Sequence, residues 1–246
     1  MPPADDDILA ASFDSLSSDL AADIGLAYVS LDQPDQATAL GSWSSGPAWS
    51  TIKVPLALAF LQEPGNEVDW SVRAAITASD NAAAQSIWDQ LGGGSAAAQR
   101  VQDVLAAAGD RTTAVPSEVR RPGYSIFGQT NWALSKQAQF LAHAACDPRS
   151  APVTNLMGQI VPGQDWGFGR VAGAHFKGGW GPGTDGLYLV RQFGVVPTPT
   201  GQIAVAVAAV ADAGTFDSGT AVLDRVAAWL QANLDVMGGG ACPTGS

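Results

Sequence analysis

Apolar residues at Leu9, Phe13, Leu16 and Leu20 recur at helical spacing, with Asp5 to Asp7 at the end a helix dipole favours for acid. Ile24 to Leu31 is a continuous apolar run and predicts a buried strand. Asp32 to Asp35 with Pro34 predicts a turn, and Ala37 to Trp43 an antiparallel partner strand that Gly46-Pro47 ends. Ser50-Thr51-Ile52-Lys53 then leads into the apolar run Val54 to Leu61, a buried helix. Pro55 removes one early backbone hydrogen bond there, so an irregular first turn is expected.

The middle of the chain reads as helical. Val72 to Leu91 is Ala-rich and stops at Gly92-Gly93-Gly94, and Ala96 to Ala108 stops at Gly109. Thr112 to Gln129 has no period, holds two prolines and carries Arg120-Arg121; long irregular segments between helices are often functional. Asn131 to Ala145 resumes as a helix, with Leu134, Ala138 and Leu141 on one face. After a glycine-dense stretch, Gly158 to Gly186, come strands at Leu187 to Val196 and Gln202 to Val210. A helix from about Asp217 to Met237 follows, burying Val222, Val226, Trp229 and Leu230.

That order predicts an α+β fold, an antiparallel sheet completed by both ends of the chain and flanked by terminal helices, with a helical lobe inserted. The sheet lobe is expected from residues 1–49 and 158–246, and the helical lobe from 50–157.

At 246 residues, 46% hydrophobic and 14% charged, the chain suits a globular protein. Its net charge of −11 argues against nucleic acid and anionic membrane surfaces as partners. No apolar run is long enough for a transmembrane segment. Met1-Pro2-Pro3 followed by acid has no signal-peptide character, which fits either a cytosolic start or a mature chain with an added Met. Cys146 and Cys242 are the two cysteines. They favour one disulfide in an oxidising compartment, with two unrelated thiols as the alternative.

The chemistry begins at Ser50 and Lys53, three apart and so on one helix face. The chain has three lysines against nine arginines. It places Lys, whose pKa burial or a second cation can lower, where a base would work. Ser50 as a helix start beside a snorkelling Lys53 is the plainer alternative. Ser79-Asp80-Asn81 alone reads as a helix cap and Lys177-Gly178-Gly179 as a strand running into a turn.

In the order S-x-x-K, S-D-N, K-G-G, however, the three resemble the active-site set of penicillin-binding proteins (D,D-peptidases) and class A β-lactamases. The layout of Asn81 to Gly109 and of Arg191 to Val196 is similar to the same superfamily. The resemblance implies Ser50 as nucleophile, Lys53 as general base and Ser79 as proton relay to the leaving nitrogen. It implies Asn81 as a hydrogen-bond partner for the substrate amide and Lys177 as the group that attracts a substrate carboxylate. The backbone N–H groups of Ser50 and Trp180, set by Gly179, would form the oxyanion hole.

No cofactor or metal is implied. The expected function is a serine acyl-enzyme hydrolase acting on β-lactams or on peptidoglycan-like amides that carry a carboxylate. The resemblance also implies a secreted, periplasmic or cell-envelope location.

Some residues depart from the pattern. Gly178 stands where the family has Thr or Ser, and Ser79 follows Ser50 closely enough to imply a shortened helical lobe. Glu118 is the candidate deacylating carboxylate, but Val119-Arg120-Arg121-Pro122 lacks the Asn that follows that glutamate in the family. Its alternative is a solvated loop acid paired with Arg120 or Arg121. A non-catalytic cell-wall or lipoprotein-type binding domain that keeps this fold is the rival to the enzyme. His143 is expected to be structural; His175, two residues before Lys177, could flank the cleft, with packing the favoured alternative.

Overall fold

The computed structural model describes residues 5–243; the reading of Met1 to Pro3 lies outside them. In chain order the elements are α1 (Asp5–Asp19), β1 (Ala22–Ser30), β2 (Thr38–Gly41), β3 (Ser45–Pro47) and α2 (Lys53–Gln62). Next come α3 (Trp70–Thr77), α4 (Asn81–Gln90), α5 (Gly94–Ala107), β4 (Asn131–Ala133), α6 (Leu134–Cys146) and α7 (Ala151–Leu156). The chain closes with β5 (His175–Pro182), β6 (Tyr188–Thr198), β7 (Gly201–Ala211) and α8 (Phe216–Met237).

Five strands form an antiparallel sheet in the order β2-β1-β7-β6-β5, so strands from both ends of the chain pair at its centre. β1 and β7 bury residues on both faces, because helices cover both. On one face α1 and α8 meet through Phe13 and Trp229, whose rings pack edge to face at 5.0 Å. On the other face a second core cluster joins α6 and the apolar α2 to the sheet through Leu56, Ala138, Leu141 and Phe193. β5 is left at an edge. The fold is therefore α+β with an antiparallel sheet.

Three details differ from the pattern-based reading. Val72 to Leu91 is two helices, broken where Ser79 takes a left-handed φ of 55°. Asp80 caps the second helix, its Oδ1 accepting from Ala83 N at 2.7 Å, a local hydrogen bond that competes with helix continuation. Asn131 to Ala133 is a short strand paired with Ser45–Pro47, and only Leu134 begins the helix. Residues 151–156, with no period to betray them, form α7. The irregular turn expected from Pro55 is a 3-10 turn at Trp49–Ile52, ahead of α2.

Buried polar groups hold the β3–β4 ribbon against the sheet. Arg191, 0% exposed on β6, donates to the carbonyls of Gly46 at 3.0 Å, Pro47 at 2.9 Å and Trp132 at 3.1 Å, and also to Gln137 Oε1. Burial pushes its pKa down to about 9, so it stays charged at neutral pH, solvated by carbonyl dipoles. Asp110, 1% exposed, accepts from Thr112, Thr113 and the indole N–H of Trp132. Both networks grip Trp132, and the ribbon they fix leads directly into the turn bearing Ser50. At the far end, a disulfide joins Cys146 to Cys242 with a Cα–Cα distance of 5.3 Å.

Candidate active site

Ser50 sits in the 3-10 turn before α2, and Lys53 is that helix's first residue. Residue 49, a tryptophan, holds φ at 49°, so the turn delivers Ser50 from a backbone conformation that non-glycine residues rarely adopt. The turn lies against β5. A Cβ placed on Gly179 would stand 2.8 Å from Ser50 N and 2.9 Å from Ala48 O, so glycine is what lets the two backbones approach. Among the described residues Ser50 Oγ makes no hydrogen bond, and it lines an open cavity of about 620 Å³.

Beneath it the two lysines meet at one serine. Lys53, 1% exposed, donates from Nζ to Ser79 O at 2.6 Å, to Asn81 Oδ1 at 2.7 Å and over 3.5 Å to Ser79 Oγ. Lys177, 0% exposed, donates from Nζ to Ser79 Oγ at 2.8 Å and to Gly178 O at 2.8 Å. Burial lowers Lys53 from 10.5 to about 7, with the Asp80 charge opposing that shift. Burial and then the Lys53 charge hold Lys177 well below the ordinary lysine value. One amine is thus poised to exchange a proton near neutral pH.

Ser50, Ser79, Asn81 and Trp180 line one cavity, and Lys53 and Lys177 join it from behind through Ser79. Glu118 is not part of this hydrogen-bonded group; it is exposed on the irregular loop, whose Val119, Gly123, Tyr124 and Ser125 reach the cavity instead. Arg121 from the same loop donates to Pro182 O at 2.5 Å and lies over the Tyr124 ring at 4.4 Å, tying the loop to the end of β5. His143 bonds Asp35 at 2.9 Å and His175 bonds Thr154 O at 2.9 Å, both away from the cavity.

Sequence reasoning missed the aromatic walls, Trp49, Tyr124 and Tyr188, and the rim residue Gln85. Trp49 packs edge-on against Tyr124 at 5.2 Å and over Gly181. Only the first had a signal, its position next to Ser50. A second cavity, of about 480 Å³, lies beside the disulfide between α2, α5 and α6; His143 is on its wall, and it shares no lining residue with the Ser50 cavity.

This architecture defines a class: the fold is that of the serine β-lactamase-like proteins. The chain is similar to a class A beta-lactamase from Bacteroides cellulosilyticus at 15% identity and a TM-score of 0.74, over 95% of this chain and 99% of that one. It is similar to a beta-lactamase from Streptosporangium roseum at 16% identity and 0.67, over 92% and 98%. A class A beta-lactamase from Mycobacterium abscessus matches at 18% identity and 0.65, over 91% and 99%. At these identities the likeness is one of fold. No family model and no curated protein matches the chain in sequence.

Proposed function

We propose that the chain is a serine acyl-transfer enzyme in which Ser50 Oγ attacks an activated amide or ester carbonyl, β-lactam amides included. The observation that carries this reading is the Lys53–Ser79–Lys177 relay, whose Ser79 lines the same cavity as Ser50, with Lys53 lowered to about 7. Neutral Lys53 takes the Ser50 proton, and Ser79 Oγ, held by both amines, passes a proton to the leaving group. Asn81 Oδ1 accepts from Lys53 and leaves its amide N–H₂ for a substrate carbonyl. The N–H groups of Ser50 and Trp180 receive the developing oxyanion.

No metal or cofactor enters this scheme. The 1–49 and 158–246 segments serve as the sheet lobe and 50–157 as the lobe carrying the nucleophile. Among the described residues no helix is long and apolar enough to cross a membrane. The disulfide supports an extracytoplasmic location.

A second reading, acylation with little turnover, is favoured by one observation. Among the described residues lining the cavity there is no carboxylate, so a deacylating water would have no acidic side chain beside it to act as base. Incubation with a labelled penicillin, read by intact mass, tests both. A Ser50 adduct, absent in Ser50→Ala, is expected to persist for many minutes. Rapid drug loss without an adduct would assign efficient hydrolysis. An unchanged mass in wild type, with equal ligand affinity in Ser50→Ala, would leave only the binding-domain reading.

A further inference from the structure

The cavity of about 480 Å³ beside the disulfide touches α2 at Leu58 and Gln62, past Lys53 at the start of that helix. Its walls are apolar, formed by Leu58, by Val104 and Ala108 at the end of α5, and by Phe140 and Ala144 of α6. All five are buried, and the two alanines are too short to close the hollow. The charges around it are already matched. Arg149 donates to Asp147, from Nε to Oδ1 at 3.1 Å and from Nη2 to Oδ2 at 2.9 Å. His143 on the same wall pairs with Asp35 at 2.9 Å.

One buried polar group is left over. Ser150, 5% exposed, gives its backbone N–H to Asp147 O at 2.9 Å, and its carbonyl accepts from Thr154 Oγ1 at 3.3 Å. Its hydroxyl makes no hydrogen bond among the described residues and is not sealed inside the protein, and Ser150 lines the cavity. A buried hydroxyl normally finds a partner, and the cavity is where one can stand.

We infer that this cavity is a second ligand site, one that takes a small neutral molecule with an aromatic or branched-alkyl body and a hydroxyl head bonded to Ser150 Oγ. Such a body removes apolar wall from water, in a hollow of the size that holds drug-sized ligands. A charged head would have to compete with Asp147 for Arg149, or with Asp35 for His143, and lose its own hydration. A hydroxyl head keeps its hydrogen bond by exchanging water for Ser150 Oγ. Gln62 is exposed and has water for its amide. The two cavities share no lining residue, so this site does not depend on Ser50 being acylated.

The test titrates the full chain with 2-naphthalenemethanol, 2-methylnaphthalene and 2-naphthoate, followed by methyl NMR. The alcohol is expected to shift the methyl signals of Leu58, Val104 and Ala144 saturably, and 2-naphthoate to bind more weakly. Ser150→Ala removes no hydrogen bond of the fold. It should weaken the alcohol about three- to tenfold, the scale of one neutral hydrogen bond, and leave the hydrocarbon within about twofold. Ala107, exposed on α5, also lines the cavity, so Ala107→Leu fills it from the rim and should abolish binding of both. No saturable shift of those methyls in wild type would overturn the inference, whatever the variants do. So would undiminished binding to Ala107→Leu, which would place the ligand elsewhere, the Ser50 cavity included. Tighter binding of 2-naphthoate than of the alcohol, or equal loss of alcohol and hydrocarbon in Ser150→Ala, would overturn the assigned ligand class.

Discussion

In the proposed scheme Lys53 carries the proton chemistry, and its environment sets the pH at which it would work. Burial favours the neutral amine, so its pKa in the fold is about 7, against 10.5 for the exposed group. Above about 7 the amine is free to accept the Ser50 proton; below it the fraction available falls about tenfold per pH unit. The rate of Ser50 acylation is therefore expected to rise with pH to a plateau, with a midpoint near 7, in stopped reactions read by mass. A flat profile from pH 5 to 9 would remove Lys53 as the base.

At this scale the sequence was readable where identity is forced. An alcohol, two amines and an amide side chain cannot be exchanged for other residues, so each shows in the letters. Trp49, Tyr124 and Tyr188 line the same cavity, but many side chains could form a wall, and nothing in their spacing separates a wall from a core. Asp110 was silent for the same reason, although the Thr112-Thr113 pair that binds it is the neighbour set of an Asx turn.

Among elements, the contact between the Ser50 turn and β5 decides whether the proposed oxyanion pair, the N–H groups of Ser50 and Trp180, can form. An alanine at Gly179 would drive its Cβ against backbone atoms of Ala48, Ser50 and Thr51, none of which can rotate away. Gly179→Ala is expected to lower kcat/KM about 10²–10³-fold and stability by about 1–3 kcal/mol. Gly178→Ala meets the Trp166 ring at 3.1 Å, a side chain able to shift, and should lose far less of either. Equal effects in kinetics and thermal melts would contradict this division.

Of β5 only Lys177-Gly178-Gly179 was readable, as a strand running into a turn; the extent of the strand was hidden because glycines lack the side chains that reveal a two-residue period. The α3–α4 break was likewise hidden inside an Ala-rich run, although Asp80 in S-D-N is a cap signal.

For the whole molecule, closure of the sheet by both chain ends was legible from element order, since paired central strands must come from opposite halves of such a chain. The β3–β4 ribbon was not, because three residues are too few to show a period. Cys146 and Cys242, 96 positions apart, enclose a long loop whose closure restricts the unfolded chain. Replacing both with serine is expected to lower stability by about 2–4 kcal/mol in denaturant titration. Ser50 acylation should stay unchanged, since the bond lies beside the distal cavity. Loss of acylation in the folded variant would link that region to the site.

Only two non-glycine residues among those described take left-handed backbone angles, Trp49 and Ser79, and both border the Ser50 cavity. Such conformations are tolerated where the surroundings enforce them. A lineage bred for heat resistance alone, with no demand on its chemistry, would relax first at Ser79, where glycine or asparagine is comfortable. The cleft would then wear out before the scaffold did.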